Sequence, residues 1–258
     1  MDDFYIDEKG LAAYFEIHWL DKLREFDITD TLESKSKVVP DSFVSSDYSL
    51  AVAHFIKQTL KEKSISPQNV LEIGPALGRN TYELVQAFPS IDSVTIVEPS
   101  QRFLTNLKNI LIDGTGCEFS YIRSLNELRS FRFNTDRITE DCKHVNFNLL
   151  GEAFDLNVVD RKHDLTVCLN VLDQCESPSK IVNALKDATD NTGVVILSCS
   201  YQWNKKHLKI QSEALDDINE YFDDKWLKLA EDDHEYRIRI NERHSLLFLT
   251  HIVAYQRC

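Results

Sequence analysis

The sequence predicts an α/β fold with a mostly parallel, doubly wound sheet, and three observations carry that prediction. From Asn69 onward, short apolar runs alternate with amphipathic stretches of helical period, the rhythm of strand–helix–strand units. A glycine-bearing loop, Gly74 to Arg79, lies between the first apolar run and the first of these helices. Near the C-terminus two β-rich runs, Tyr236 to Ile240 and Ser245 to Tyr255, read as an antiparallel hairpin.

Taken in order, residues 1–65 read as an N-terminal helical extension and residues 66–258 as the main domain. Leu11 to Phe26 carries Leu11, Tyr14, Phe15, Ile17, Trp19, Leu20 and Leu23 at helical spacing. Asp27 to Asp47 is polar, holds Pro40 and reads as a loop; Ser49 to Lys61 is a second amphipathic helix. Strands are predicted at Val70 to Ile73, Ser93 to Val97, Leu165 to Leu169 and Val194 to Ser198, with Gly193 at a turn before the last. Helices are predicted at Thr81 to Phe88, Gln101 to Leu111, Ser179 to Thr189 and near Ser212 to Phe222. The middle of the chain reads as a hairpin around Phe119 to Phe133 and a strand near Val145 to Leu149.

Composition narrows the function classes. A formal net charge of −13 with scattered Lys and Arg argues against a nucleic-acid acceptor, because phosphate binding needs clustered cations. No apolar run approaches membrane-crossing length, and the acidic start Met1-Asp2-Asp3-Phe4 lacks the basic flank of a signal peptide. The expectation is a cytoplasmic protein with a small-molecule partner, acting on neither nucleic acid nor membrane. Six cysteines form no C-x-x-C pair, so no metal site is expected. Cys168 and Cys199 fall in apolar runs and read as buried thiols.

The segment Val70-Leu-Glu-Ile-Gly-Pro-Ala-Leu-Gly-Arg79 carries the cofactor prediction. Gly74 and Gly78 permit a tight turn and close approach of backbone to a ligand, and the helix that follows offers free N–H groups. Neither the G-x-G-x-x-G spacing of a pyrophosphate site nor a P-loop lysine is present. Glu98 ends the second strand, where a carboxylate accepts hydrogen bonds from ribose hydroxyls. Together these predict S-adenosylmethionine, with Glu72, Gly74, Pro75, Gly78, Arg79, Glu98 and Pro99 around it. The competing reading is a ligand-free turn with Glu98 as a solvated carboxylate, and Glu72 as merely structural.

Several stretches resemble the C-terminal methyltransferase domain of ovothiol synthases. These are Leu71 to Leu84, Asn170-Val-Leu-Asp-Gln174 with Ser177-Pro178, Ser198-Cys-Ser-Tyr-Gln-Trp203 and Tyr14-Phe-Glu-Ile-His-Trp19, with Arg239 and Arg243 at a paired-arginine segment. The Asn-x-x-Asp motif is also similar to that of DREV-type protein-histidine methyltransferases. Departures are Pro75, Gln174 where arginine is usual, and Ser200 in place of proline. The resemblance implies a class I methyltransferase: a Rossmann-like seven-stranded sheet with helices on both faces. It further implies that Glu152, Ala153 and Phe154 lie at the adenine and that Asn170 touches the cofactor. Tyr14, His18, Asp173, Tyr201, Trp203, Arg239 and Arg243 would line an acceptor site, with Asp173 and Asn170 catalytic.

The implied acceptor is the imidazole of histidine or a mercaptohistidine. A histidine in a peptide or protein, and a cofactor-binding module without catalysis, are the alternatives. Imidazole methylation needs one ring nitrogen free to attack and a carboxylate on the proton of the other. Asp173 suits that role; the plainer reading is a helix cap. Equally plain readings make Tyr201 and Trp203 core residues, His18 a packed histidine, and the two arginines a solvated face.

Overall fold

The computed structural model describes residues 8–25, 47–124, 127–155, 157–159, 161–241 and 243–258. The stretch from Asp27 to Ser46, read above as a loop, lies outside them. Helix α1 (Glu8–Glu25) buries Leu11, Phe15 and Trp19. Helix α2 (Asp47–Glu62) buries Val52, Ile56 and Leu60, the i, i+4, i+8 stripe of an amphipathic helix. Then follow β1 (Asn69–Ile73), α3 (Arg79–Ala87), β2 (Ser93–Val97) and α4 (Gln101–Lys108). Ser100 caps α4 by accepting from the Phe103 N–H at 3.3 Å. The predicted helix to Leu111 is α-helical only to Lys108; a π turn, Asn109–Asp113, carries it on to Gly114 in the left-handed region.

Strands β3 (Cys117–Ser124) and β4 (Glu127–Phe133) form the predicted middle hairpin as a separate antiparallel ribbon. Next come α5 (Asp136–Cys142), β5 (Asn146–Leu150), β6 (His163–Leu169), α6 (Pro178–Ala188) and β7 (Thr189–Cys199). Gly193 lies inside β7 rather than at a turn before it; a Cβ there would meet Thr189 Cγ2 at 2.7 Å, at the register shift of the β6–β7 pair. The helix predicted near Ser212 to Phe222 is instead two short 3₁₀ turns, Gln211–Glu213 and Ile218–Tyr221. The acidic and polar residues of that stretch bond locally, as Asp217 does to the Asn219 N–H at 2.8 Å, which favours turns over helix. The final hairpin is longer than the sequence reading: β8 is Trp226–Asn241 and β9 is His244–Arg257.

The main sheet has seven strands in the order β5-β2-β1-β6-β7-β9-β8. The first five run parallel, and β9 pairs antiparallel with both β7 and β8. This is the class I methyltransferase plan predicted above. One face packs against residues of α1 to α5 and the other against α6. Burial on both faces explains why β1, β2 and β6 are mostly apolar. The chain leaves β1 toward β2 and β5, then crosses back to β6 and β7. The crevice at that switch point, outside the carboxyl ends of β1 and β6, is where open α/β sheets bind ligands.

Candidate active site

The loop after β1 turns through two left-handed glycines, Gly74 at φ 65° and Gly78 at φ 76°, with Ala76 also left-handed at φ 50°. Pro75 carbonyl accepts from the Gly78 N–H at 2.9 Å and closes the turn. Glu98, at the end of β2, reaches into this loop: one oxygen accepts from the Ala76 N–H at 3.2 Å, the other from the Ser100 N–H at 2.9 Å. Each carboxylate oxygen therefore keeps acceptor capacity for a ribose hydroxyl. Burial pushes the Glu98 carboxyl up to about 7, against the pull of those two backbone donors. Pro99 is exposed beside it. The Glu98 N–H donates to Leu150 carbonyl at 3.0 Å, so β5 delivers Gly151 to Phe154 to the same edge. Glu152 and Ala153 are exposed there while Phe154 is buried. Glu72 is buried inside β1, accepts from the Thr81 hydroxyl, and is also pushed up to about 7 by burial.

This donor set fits an adenosyl cofactor, and two results follow. Glu98→Ala should weaken S-adenosylmethionine binding by more than about tenfold, since a hydrogen bond to a charged acceptor contributes roughly 1.5–3 kcal/mol; calorimetry would show it. Affinity should also tighten as pH rises through about 7, where Glu98 ionises, and Glu98→Gln should flatten that part of the profile. The stability of the ligand-free protein moves the other way: with a carboxyl raised from 4.5 to about 7, the contribution is complete below 4.5 and is lost as pH rises through about 7.

The residues Asn170 and Asp173, predicted above for the acceptor side, lie where β6 and β7 end. Asn170, left-handed at φ 54°, is tied down by three neighbours. Its backbone N–H donates to Ser198 carbonyl at 3.1 Å, and its Oδ1 accepts from the Thr250 hydroxyl at 2.8 Å and the Ser198 hydroxyl at 3.2 Å. Its Nδ2 donates to the Tyr48 hydroxyl at 3.0 Å. Asp173 sits in the 3₁₀ turn Leu172–Gln174 and is buried. Its Oδ2 accepts from the Ser200 hydroxyl at 2.6 Å, while its buried Oδ1 has no hydrogen-bond partner among the described residues. Burial raises the Asp173 carboxyl above its usual range, opposed by the Ser200 and Gln174 side chains. The helix-cap reading of Asp173 fails, because the N-terminus of α6 is served by Glu213, which accepts from the Ser179 N–H at 3.1 Å.

Cofactor loop and acceptor turn touch. A Cβ on Gly74 would lie 2.6 Å from Val171 Cγ2, between Asn170 and Asp173 in the chain. Gly74→Ala should thus cost turnover as well as about 1–2 kcal/mol for a left-handed non-glycine residue, and Val171→Ala in the same chain should restore part of the turnover in steady-state assays.

Other predicted residues separate into those near the site and those engaged elsewhere. Arg79 spends its guanidinium inside the protein: it is fully buried and bidentate to Asp21 at 2.6 and 2.7 Å, with Glu83 at 2.8 Å and His18 carbonyl at 2.5 Å. It latches α1 to the start of α3. His18 Nδ1 accepts from the Arg79 N–H at 3.4 Å, and burial together with the Arg79 charge pushes its imidazole down to about 3, so it is neutral. Tyr14 packs its ring 5.9 Å from His18 and 5.0 Å from Phe103. Arg239 is buried in an ion pair with Glu16 of α1, and Arg243 is exposed at the β8–β9 turn. The strand alternation that would aim both arginines one way is broken by the register shift between Arg239 and Asn241. Trp203 donates its indole N–H to Leu215 carbonyl at 3.1 Å and so fastens the loop of 3₁₀ turns. The Tyr201 hydroxyl meets His251 Nδ1 and accepts from the Ile218 N–H at 3.1 Å. Sequence reading misses Tyr48 and Thr250, for which no local motif exists, and gives no role to Ser198 and Ser200, the serines bonded to Asn170 and Asp173.

A family model described as DREV methyltransferase matches residues 132–232, the stretch that carries Asn170, Asp173 and Tyr201. Among curated proteins, none matches the chain. In fold the chain is similar to magnesium protoporphyrin IX methyltransferase of Synechocystis PCC 6803, crystallised with bound SAM. The TM-score is 0.51 at 15% identity, over 100% of this chain and 98% of that one. It is similar also to N-methyltransferase NodS of Bradyrhizobium japonicum WM9 in complex with S-adenosyl-L-homocysteine. That pair gives a TM-score of 0.50 at 12% identity, over 81% of this chain and 87% of the other. No helix among the described residues is long and apolar enough to cross a membrane. The class I fold and the methyltransferase match together make the chain an S-adenosylmethionine-dependent methyltransferase.

Proposed function

We propose that the enzyme methylates a ring nitrogen of an imidazole in a small histidine-derived acceptor, with histidine and a mercaptohistidine as the leading candidates. The observation that supports this most directly is Asp173. It is a buried carboxylate with one oxygen held by Ser200 and the other without a hydrogen-bond partner among the described residues, one turn beyond Asn170. When bound, the cofactor supplies an electrophilic methyl on a sulfonium. Asp173 would accept the N–H of one ring nitrogen, which leaves the lone pair of the other free to attack. As the methyl is transferred, positive charge develops on the ring and the carboxylate stabilises it in a site shielded from water. The ring proton then passes to Asp173 or to solvent, and the neutral methylimidazole leaves. Asn170 holds the acceptor or the methionine end of the cofactor in line, and such positioning supplies much of the rate.

Residues 1–65 act here as an extension that completes the acceptor site of the 66–258 domain, since Tyr48 reaches Asn170. A net charge of −13 supports an acceptor other than nucleic acid. The free cysteines support a reducing, cytoplasmic compartment. A histidine in a peptide or protein is the second reading. Leu247 and Leu249, 58% and 63% exposed on β9, favour it as an apolar surface that a chain could cover. Purified enzyme with methyl-labelled cofactor should label histidine or a mercaptohistidine in a panel that includes histidine peptides. Label on peptides alone would select the second reading. Label on neither, with cofactor binding intact, would sink both.

A further inference from the structure

Tyr48 lies in α2, far in sequence from the Asn-x-x-Asp turn, yet it is built into that turn. Its hydroxyl is 3.0 Å from Asn170 Nδ2 and 3.3 Å from Ser198 Oγ, and Ser198 Oγ is 3.2 Å from Asn170 Oδ1. These three contacts close a ring in which every hydroxyl is both donor and acceptor: Ser198 donates to Asn170 Oδ1, Asn170 Nδ2 donates to Tyr48, and Tyr48 donates to Ser198. Thr250 donates a second hydrogen bond to Asn170 Oδ1 at 2.8 Å. The amide is thereby fixed in one orientation, with its oxygen consumed by two hydroxyls and one Nδ2 hydrogen left uncommitted among the described residues. Tyr48 is itself held from behind, buried against Tyr236 with ring centroids 5.2 Å apart. The Asp173 carboxylate is close enough to bear on the phenol, which burial and that charge push up to about 12, so the ring keeps its proton.

From this arrangement we infer that Tyr48 is a positioning residue of methyl transfer, which locks the Asn170 amide so that it offers an N–H donor to a lone-pair-bearing atom at the acceptor site. The inference rests on Asn170 holding the acceptor, the first of the two roles proposed above, and not the methionine end of the cofactor. It places a constraint on the bound group: the atom facing Asn170 is an oxygen or an unprotonated nitrogen, never an N–H or O–H hydrogen. A merely structural Tyr48 would lose stability and cofactor affinity together when altered. A positioning Tyr48 acts on turnover through Asn170 alone.

Y48F removes the hydroxyl and keeps the packed ring. We expect Y48F to lose about tenfold or more in kcat with cofactor Kd unchanged, and Y48F/N170A to be no slower than N170A, the non-additivity of residues acting as a unit. Full turnover in Y48F, a parallel loss of cofactor affinity, or strictly additive losses would overturn the inference. A second readout needs no acceptor. With the side-chain amide of Asn170 labelled with nitrogen-15, one of its two protons should exchange slowly in the wild type, and both should exchange fast in Y48F. Equal fast exchange in the wild type would overturn the inference whatever the acceptor proves to be. Failure of the imidazole panel with that slow proton present would overturn the acceptor reading and leave the lock standing.

Discussion

Asp173→Ala is expected to bind S-adenosylmethionine like the parent enzyme and to lose at least ~10²-fold in turnover, the usual effect of removing a positioned base or electrostatic partner. The split follows from where the carboxylate sits. Its Oδ2 is held by Ser200 while its buried Oδ1 has no hydrogen-bond partner among the described residues. Glu98, the carboxylate predicted for the cofactor, hangs on the other half of the sheet with backbone partners of its own. Calorimetry and single-turnover transfer together read the two effects apart. Asp173→Asn sharpens the test: it keeps the shape and the Ser200 contact but cannot stabilise positive charge on the ring. Burial raises the Asp173 pKa, and the working form is ionised, so turnover should rise with pH along the acid limb. An Asp173→Ala enzyme with parental turnover would remove Asp173 from the chemistry.

Arg239→Ala is expected to cost about 3–5 kcal/mol of stability, the range for breaking a buried ion pair and leaving its partner charged. Both side chains are almost fully buried, 3% exposed for Arg239 and 1% for Glu16. The pair joins β8 to α1 through residues 223 apart in the chain, so α1 should loosen first. Urea denaturation of Arg239→Ala gives the loss directly. Replacing both partners with apolar residues of similar volume should recover much of it, because the desolvation of two charges then disappears along with their attraction. If Arg239→Ala kept its stability and instead raised the acceptor KM, the residue would return to the substrate site.

How much of this was legible beforehand depends on how local each signal was. The loop Gly74 to Gly78 needs left-handed backbone within a few residues, and glycine records that need in the sequence. Glu98 sits where a strand ends, and strand ends follow from apolar runs. Gly151–Phe154, Asn170 and Asp173 were marked out by the family resemblance. By contrast, Arg79, Arg239, Asn170 and Tyr48 find partners on other elements: Asp21, Glu16, Thr250 and Ser198. An arginine that is bidentate to a buried carboxylate and one that waits for a substrate carboxylate look the same in a sequence. The stretch from Ser212 to Phe222 has a helical pattern of apolar residues, but local side-chain bonds to backbone and the Trp203 anchor hold it as turns.

The sequence by itself determined most of the order of strands and helices and the glycine loop after β1, because periodicity and glycine placement act over short distances; the motif residues beyond β6 came from the family resemblance. Only the tertiary structure decided which charged side chains are spent inside the protein, and that Tyr48 of α2 bonds the side chain of Asn170. The reason is that burial and hydrogen-bond pairing are set by neighbours in space, which the folded sheet chooses and no local spacing records.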